Sequence, residues 1–292
     1  MLNHLNNHPK NPSRVVVLGA AGFVGSCIVR ELIRENIPYL GLSRTQIDLL
    51  SMDAGIKLLD YIKPNDVLVI CSAIAPCKNN AQLIENLKII KNIISVFETV
   101  LLSQIIYISS DAVYSDDINL VTELSTMQPS SLHGMMHSAR ELMLKTSVGN
   151  IPLAILRPSL LYGIDDPHNG YGPNRFRRLV EEDKNIILFG NGEEKRDHIF
   201  IEDVTKIVCL TIKHRSKGVL NIATGNSMSF REIAETVVNQ FGKHIIIQES
   251  VRNNPITHRY FDITACYKVF PHFHYTSFQD GVKMLQTKKE IA

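Results

Sequence analysis

The stretch from Val15 to Gly25, VVVLGAAGFVG, constrains this chain more than any other. Val15 to Leu18 is an apolar run of the buried-strand type, and the following apolar positions Val24, Cys27, Ile28 and Leu32 recur at helical spacing. Gly19, Gly22 and Gly25 therefore fall on a strand-to-helix turn. A helix starting there aims unpaired N–H groups and the positive end of its dipole at one point, and the glycines let a pyrophosphate approach the backbone. The turn, with Ala20, Phe23 and Val24 between the glycines, is a candidate dinucleotide site. Its spacing is G-x-x-G-x-x-G rather than G-x-G-x-x-G, so a tight turn without a ligand stays open on this motif alone.

The pattern continues as a doubly wound α/β unit. Pro38 to Leu42 form a second strand ending in Ser43 and Arg44. A carboxylate at this strand end favours NAD, whereas an Arg accommodates the extra phosphate of NADP. Ser43 and Arg44 thus point to NADP, with NAD as the alternative and a solvated loop Arg as the plain reading. Asp48 and Leu49 follow where they could flank the adenine. Met52 to Ile62 read as helix, Pro64 with Asn65 as a break, and Asp66 to Cys71 as a third strand, which gives βαβαβ. Cys71, Ser72 and Ala73 put small side chains where the sheet faces the cofactor again.

Gln82 to Leu102 is a long amphipathic helix through Leu83, Leu87, Ile90, Ile94 and Phe97. Ile105 to Ile108 is a strand that runs into Ser109, Ser110 and Asp111, a polar cluster at a strand's C-terminal end, where ligands bind in open α/β sheets. A helix follows from His133 to Ser147 and a strand from Leu153 to Leu156. The Gly, Pro, Asp and Asn content of Gly163 to Asn174 marks a boundary after a dinucleotide-binding domain over 14–162. The substrate lobe is expected over 163–217 and 243–292, with the strand and helix of 218–241 returning to the first domain. Ser229 and Glu232 form a capping box for the helix from Phe230 to Gln240.

Composition excludes some functions. With 292 residues the chain can bury a full core, and 45% hydrophobic with 21% charged residues is ordinary for a soluble globular protein. A formal charge of +2 gives no reason to expect nucleic acid, and no stretch reaches the length of a membrane span. The five cysteines are scattered without a C-x-x-C pair, which suits reduced thiols in a cytoplasmic compartment. Residues 1–13 are rich in Asn and His and read as a disordered leader; metal binding by His4 and His8 is the alternative there.

Taken together, GAAGFVG at Gly19, ISSDAVYS at Ile108, LRPSLLYG at Leu156, RDHIFIEDV at Arg196 and NIATGNSMSFREIA at Asn221 resemble the extended short-chain dehydrogenase/reductase family. These are NAD(P)-dependent epimerases, dehydratases and reductases of nucleotide-sugars, and the resemblance runs from Arg14 to about Leu285. It implies a Rossmann sheet with a smaller C-terminal lobe. The segment SRTQIDLL at Ser43 is similar to that of NADP-using deoxysugar reductases. The resemblance also implies that Asn86 sits near the cofactor and that Pro158, Ser159 and Leu160 border the nicotinamide. Asn174, Arg196 and Arg252 would hold the substrate, the arginines at its diphosphate through charge-assisted bonds. A homodimer through the two helices of 82–102 and 133–147 is implied as well, as is a pathway to surface polysaccharide.

One departure bears on the chemistry. The family uses a Ser or Thr, a Tyr, and a Lys four residues later whose charge lowers the Tyr pKa. Ser110 matches the first. The others fall on HGMMHSARE, where Glu141 sets the register and puts His133 at the Tyr position and His137 at the Lys position. In one account His133, which titrates near neutral pH without a lysine, exchanges the proton, while Ser110 orients the sugar oxygen, His137 bonds the ribose and Asp111 assists. In the other the site is inactive, and the chain binds NAD(P) or a nucleotide-sugar as a sensor or scaffold. A third reading takes the histidines at i, i+4 as metal ligands, but no third ligand is evident nearby, so no metal is expected.

Overall fold

All four residues of the first strand, β1 (Val15–Leu18), are buried, as a strand covered on both faces of a parallel sheet must be. A computed structural model describes residues 1–291 of the chain. After β1 come α1 (Phe23–Arg34), β2 (Tyr39–Leu42), α2 (Ala54–Leu58), β3 (Val67–Ile70), α3 (Asn80–Ile94), β4 (Gln104–Ile108), β5 (Leu120–Val121) and α4 (Leu132–Ser147). Next are β6 (Leu153–Pro158), β7 (Leu160–Tyr162), α5 (Pro173–Glu181), β8 (Ile186–Phe189), β9 (Lys195–Phe200) and α6 (Ile201–Lys213). The chain ends with β10 (Gly218–Ile222), β11 (Ser227–Ser229), α7 (Phe230–Phe241), β12 (Ile247–Ser250), β13 (Tyr260–Phe261), α8 (Thr264–Val269) and α9 (Phe278–Ile291).

Six strands pair in parallel in the order β10-β6-β4-β3-β1-β2. Because side chains alternate across a strand, each strand feeds two cores. Val15, Val17, Val67, Val69 and Ile106 face one side, where α1, α6 and α8 pack. Val16, Leu18, Leu68, Ile70 and Ile105 face the other, against α3 and α4. A third core, with Phe176, Val180, Leu188, Phe200, Phe230 and Val237, holds the smaller lobe together. That lobe carries the sheet β11-β9-β7 and the pair β12-β8.

The structure corrects the expected partition. Helix α6 and helix α8, assigned to the lobe, pack on the main sheet: Val204, Ile207, Val208, Ile212 and Cys266 lie in the first core. Conversely α7, expected to return to the sheet, buries Ile233, Ala234 and Val237 against α5 and α9 in the lobe. Residues 1–13 are also not a free leader. Leu2 is buried in the first core, and Asn3 exchanges backbone hydrogen bonds with Lys217. The His4 ring spans Ser216 Oγ and the Val269 carbonyl at 2.8 and 2.9 Å and stacks on His214. A polar composition hid this because the anchors are backbone and imidazole bonds to residues more than two hundred positions away. Helix α3 is shorter than expected and stops at Ile94, before Phe97 and Leu102.

Candidate functional site

At the end of β1 the backbone turns at Gly19 with φ +87°, where a Cβ would stand 2.8 Å from the Ser72 nitrogen. A Cβ on Gly25 would meet the Gly19 carbonyl at 2.1 Å, so strand and helix approach here only through glycine. Gly22 caps α1 with no side-chain bond, and the first turn holds no acidic residue. Its N–H groups are left for an anion. A cleft of about 390 Å³ opens at this point. Gly19 and Gly22 line it from the turn, Ser43, Arg44, Asp48 and Leu49 from the end of β2, and Cys71, Ser72 and Ala73 from the end of β3. Burial raises the Cys71 thiol to about 12. The side chains of Phe23 and Val24 pack toward the lobe core, with the Phe23 ring against Gly163. Ser43 Oγ bonds Gln46 and Thr45, and Arg44 pairs with Asp48 at 3.6 Å with most of its side chain in solvent.

The wall of the cleft is braced from behind. Asn86 is fully buried; its Oδ1 accepts from the Ile74 N–H at 2.9 Å and its Nδ2 donates to the Ile74 and Gln82 carbonyls. It therefore holds the loop after β3 rather than lining the cleft. Arg140, which sequence reading overlooked, is also fully buried. It donates to the Ser72 carbonyl at 2.7 Å and to Asn86 Oδ1 at 3.3 Å and lies 5.2 Å over the Tyr107 ring. It has no ion-pair partner among the described residues. The available signal was a charge at i, i+4 from Met136 and before Leu144, on the buried stripe of α4.

Ser131 caps α4, its Oγ accepting from the Gly134 N–H at 3.1 Å. A Cβ on Gly134 would meet the Ala112 carbonyl at 2.0 Å, so the first turn of α4 presses on the short 3-10 turn Asp111–Val113. This brings His133 close enough to Asp111 for the carboxylate to raise its pKa, but burial is the larger effect and the imidazole lies below its ordinary 6.5. The His137 ring meets it edge-on, centroids 4.8 Å apart. His137 Nδ1 is 2.6 Å from the Tyr107 hydroxyl. Burial raises the Tyr107 pKa, so this hydroxyl is the donor and the His137 proton is assigned to Nε2. Burial, then His133 and Arg140, push the His137 pKa well below 6.5. Both shifts favour the neutral imidazole. The Cys77 N–H lies 3.4 Å from His133 Nδ1.

Ser110 Oγ accepts from the Ala112 N–H and lies 3.4 Å from Asp111 Oδ1. Asp111 is held by Arg259, which donates to its carbonyl at 3.0 Å and its Oδ2 at 3.3 Å and pairs with Asp116 as well. Arg259 gave no sequence signal, since it lies 148 positions away. Two expected cofactor contacts are engaged elsewhere. Ser109 Oγ donates to Glu141, which makes a buried two-pronged pair with Arg157 at 2.8 and 2.6 Å, and Ser159 Oγ donates to Asp197. These bonds tie α4 and β9 to the sheet. Pro158 ends β6, and Leu160 is partly exposed.

In the lobe, Asn174 accepts from the Gly163 N–H at 3.0 Å and donates to the Leu161 carbonyl, pinning the boundary loop. Arg196 and Arg252, distant in sequence, converge on Glu194 with N···O distances of 2.6 and 2.9 Å. A second cavity of about 260 Å³ lies between His198 and the stretch Tyr275–Phe278. Both His198 ring nitrogens are buried without a partner, and burial lowers its pKa to about 3. Among the described residues no three His, Cys, Asp or Glu are grouped to hold a metal, and no helix is long and apolar enough to cross a membrane.

The profile of the NAD dependent epimerase/dehydratase family matches residues 15–223. The chain belongs to that family. The chain is 27% identical over 275 residues to a Methanocaldococcus jannaschii protein named as a candidate UDP-glucose 4-epimerase, covering 85% of this chain and 90% of the relative. Its fold matches the UDP-glucose 4-epimerase of Thermus thermophilus, solved with NAD, with a TM-score of 0.83 and 19% identity over 96% and 100% of the two chains. It also matches a GDP-L-fucose synthetase of Naegleria fowleri bound to NADP, with a TM-score of 0.86 and 14% identity over 99% and 97%. The matched family is described as NAD dependent, and the glycine turn, uncapped helix and open cleft of this chain fit a nicotinamide dinucleotide.

Proposed function

We propose that the chain uses NADP(H) to epimerise or reduce a nucleotide-activated sugar, with His133 as the group that exchanges the proton. The observation that carries this reading is His133, half-buried in the first turn of α4 and close enough to Asp111 to feel its charge, with burial holding the imidazole below its ordinary pKa. When bound, the nicotinamide supplies hydride acceptance and return. A tyrosine at this place needs a neighbouring cation to become a base near pH 7, whereas a neutral imidazole already is one. His133 takes the hydroxyl proton as the substrate carbon is oxidised, and Asp111 steadies the imidazolium so formed. The imidazolium gives the proton back when the carbon is reduced again. Ser110 orients the reacting oxygen, and His137, with its proton on Nε2, bonds the ribose. Arg44 takes the extra phosphate of NADP, and Arg196 and Arg252 take the diphosphate. With no disulfide among the described residues, the chain suits a cytoplasmic step toward surface polysaccharide.

The test is His133→Phe, assayed for turnover of nucleotide-sugars and, separately, for NADPH binding by calorimetry. Turnover is expected to fall by about 10²-fold or more with cofactor affinity retained. Wild-type oxidation should be flat above pH 7 and decline below 6.5 as His133 protonates. Wild-type protein that binds cofactor yet turns over no nucleotide-sugar would support the inactive sensor or scaffold instead.

A further inference from the structure

Glu194 sits in the turn before β9 with its carboxylate between two guanidinium groups, Arg196 at 2.6 Å and Arg252 at 2.9 Å. All three side chains are largely buried, with 15–17% of each exposed. Thr257 completes the cluster: Arg196 donates to its hydroxyl at 2.8 Å, and Arg252 also reaches the Phe189 carbonyl. Even so, Arg196 Nη1 and Arg252 Nε are buried donors without a partner. Leaving such donors unmade is costly, so the cluster is incomplete as it stands and has capacity for a further anion.

We propose that Glu194 is an internal anion that competes with the substrate's diphosphate for Arg196 and Arg252, and so sets the affinity and charge selectivity of this site. The inference rests on the reading of the two arginines as diphosphate cations. Glu194 cancels one of the two positive charges of Arg196 and Arg252, and the Glu193 carboxylate lies near enough to Arg252 to add to this, so the pair offers less than the two negative charges of a diphosphate ester call for. A diphosphate must displace the Glu194 carboxylate or bind beside it against repulsion, a penalty that is smaller for a singly charged phosphodiester. Both routes weaken diphosphate binding relative to two arginines alone.

The experiment is calorimetric titration of inorganic pyrophosphate into the full chain, comparing wild type with Glu194→Gln, the smaller Glu194→Ser, and the double variant Glu194→Gln with Arg252→Gln. Thermal melting first establishes that each is folded. Pyrophosphate should bind either single variant about tenfold tighter or more than wild type, and the gain should vanish in the double variant. Equal or weaker binding in both folded single variants would overturn the proposal and make Glu194 a strut that positions the arginines. The functional reading is scored apart from this: tighter pyrophosphate binding with no turnover of nucleotide-sugar would keep the Glu194 assignment and remove the catalytic one.

Discussion

At the scale of single residues, the site is governed by which charges are paired. Arg44 has one weak partner, Asp48 at 3.6 Å, and most of its side chain is in water, so a ribose phosphate can recruit it at small cost. Replacing it with Ala should weaken NADP by about tenfold while barely changing NAD, measured by calorimetry with each dinucleotide. Equal losses for both would remove the basis for NADP. Arg140 is the opposite case, a fully buried cation tied to the Ser72 carbonyl and stacked on Tyr107. It lies one turn along α4 from His137 and adds to the lowering of the His137 pKa that burial and His133 already produce. The candidate roles of Ser110, His133 and His137 come from the motif register alone. That burial favours the neutral form of both histidines was not legible there, because desolvation depends on what packs around them.

At the scale of elements, the glycine positions decide close approach. Gly134 lets α4 rest on the turn after β4, and without that contact His133 and Asp111 would not meet. Helices α3 and α4 also pack on each other, and on the outside they leave Ile84, Met135 and Leu142 exposed. Apolar side chains of this size on adjoining helices favour a self-complementary contact, so we propose that the protein is a homodimer through this face. Sedimentation velocity should give a dimer for wild type at micromolar concentration and a monomer for Leu142→Lys. A wild-type monomer would rule out this face as a dimer contact. The capping box of α7 was legible locally and is present, with Glu232 N–H and Ser229 N–H both satisfied. The packing partners of α7 were not, since an amphipathic helix carries no address.

Across the whole molecule, buried neutral histidines link stability to pH. His137 and His198 have pKa values below 6.5 in the folded state, so the unfolded chain binds more protons just below that pH. Stability is therefore complete above 6.5 and falls as pH drops, by about 1.4 kcal/mol per pH unit for each fully neutral histidine. Asp197 and Glu31, whose pKa values are raised by burial, act in the opposite sense but only where carboxylates titrate. Between about pH 6.5 and 5 the histidines dominate. Urea midpoints should hold from about pH 7.5 to 6.5 and drop by about 5.5, with a smaller drop in His198→Phe. An unchanged wild-type midpoint at about 5.5 would contradict this.

The local order of the chain determined the sheet and its turn: strand runs of Val, Leu and Ile, glycines at fixed intervals, and helical spacing are nearest-neighbour signals that backbone sterics and hydrophobic burial convert directly into β1, α1 and the strands after them. The same signals carry the register from which roles for His133 and His137 are proposed. The tertiary structure alone decided that the N-terminal segment docks on His214 and Lys217, that α6 and α7 exchange their expected domains, that Arg259 holds Asp111, and that Glu194 lies between Arg196 and Arg252. Each of these joins groups far apart along the chain, so the interaction exists only once folding has brought them together and removed the water that would otherwise have screened them.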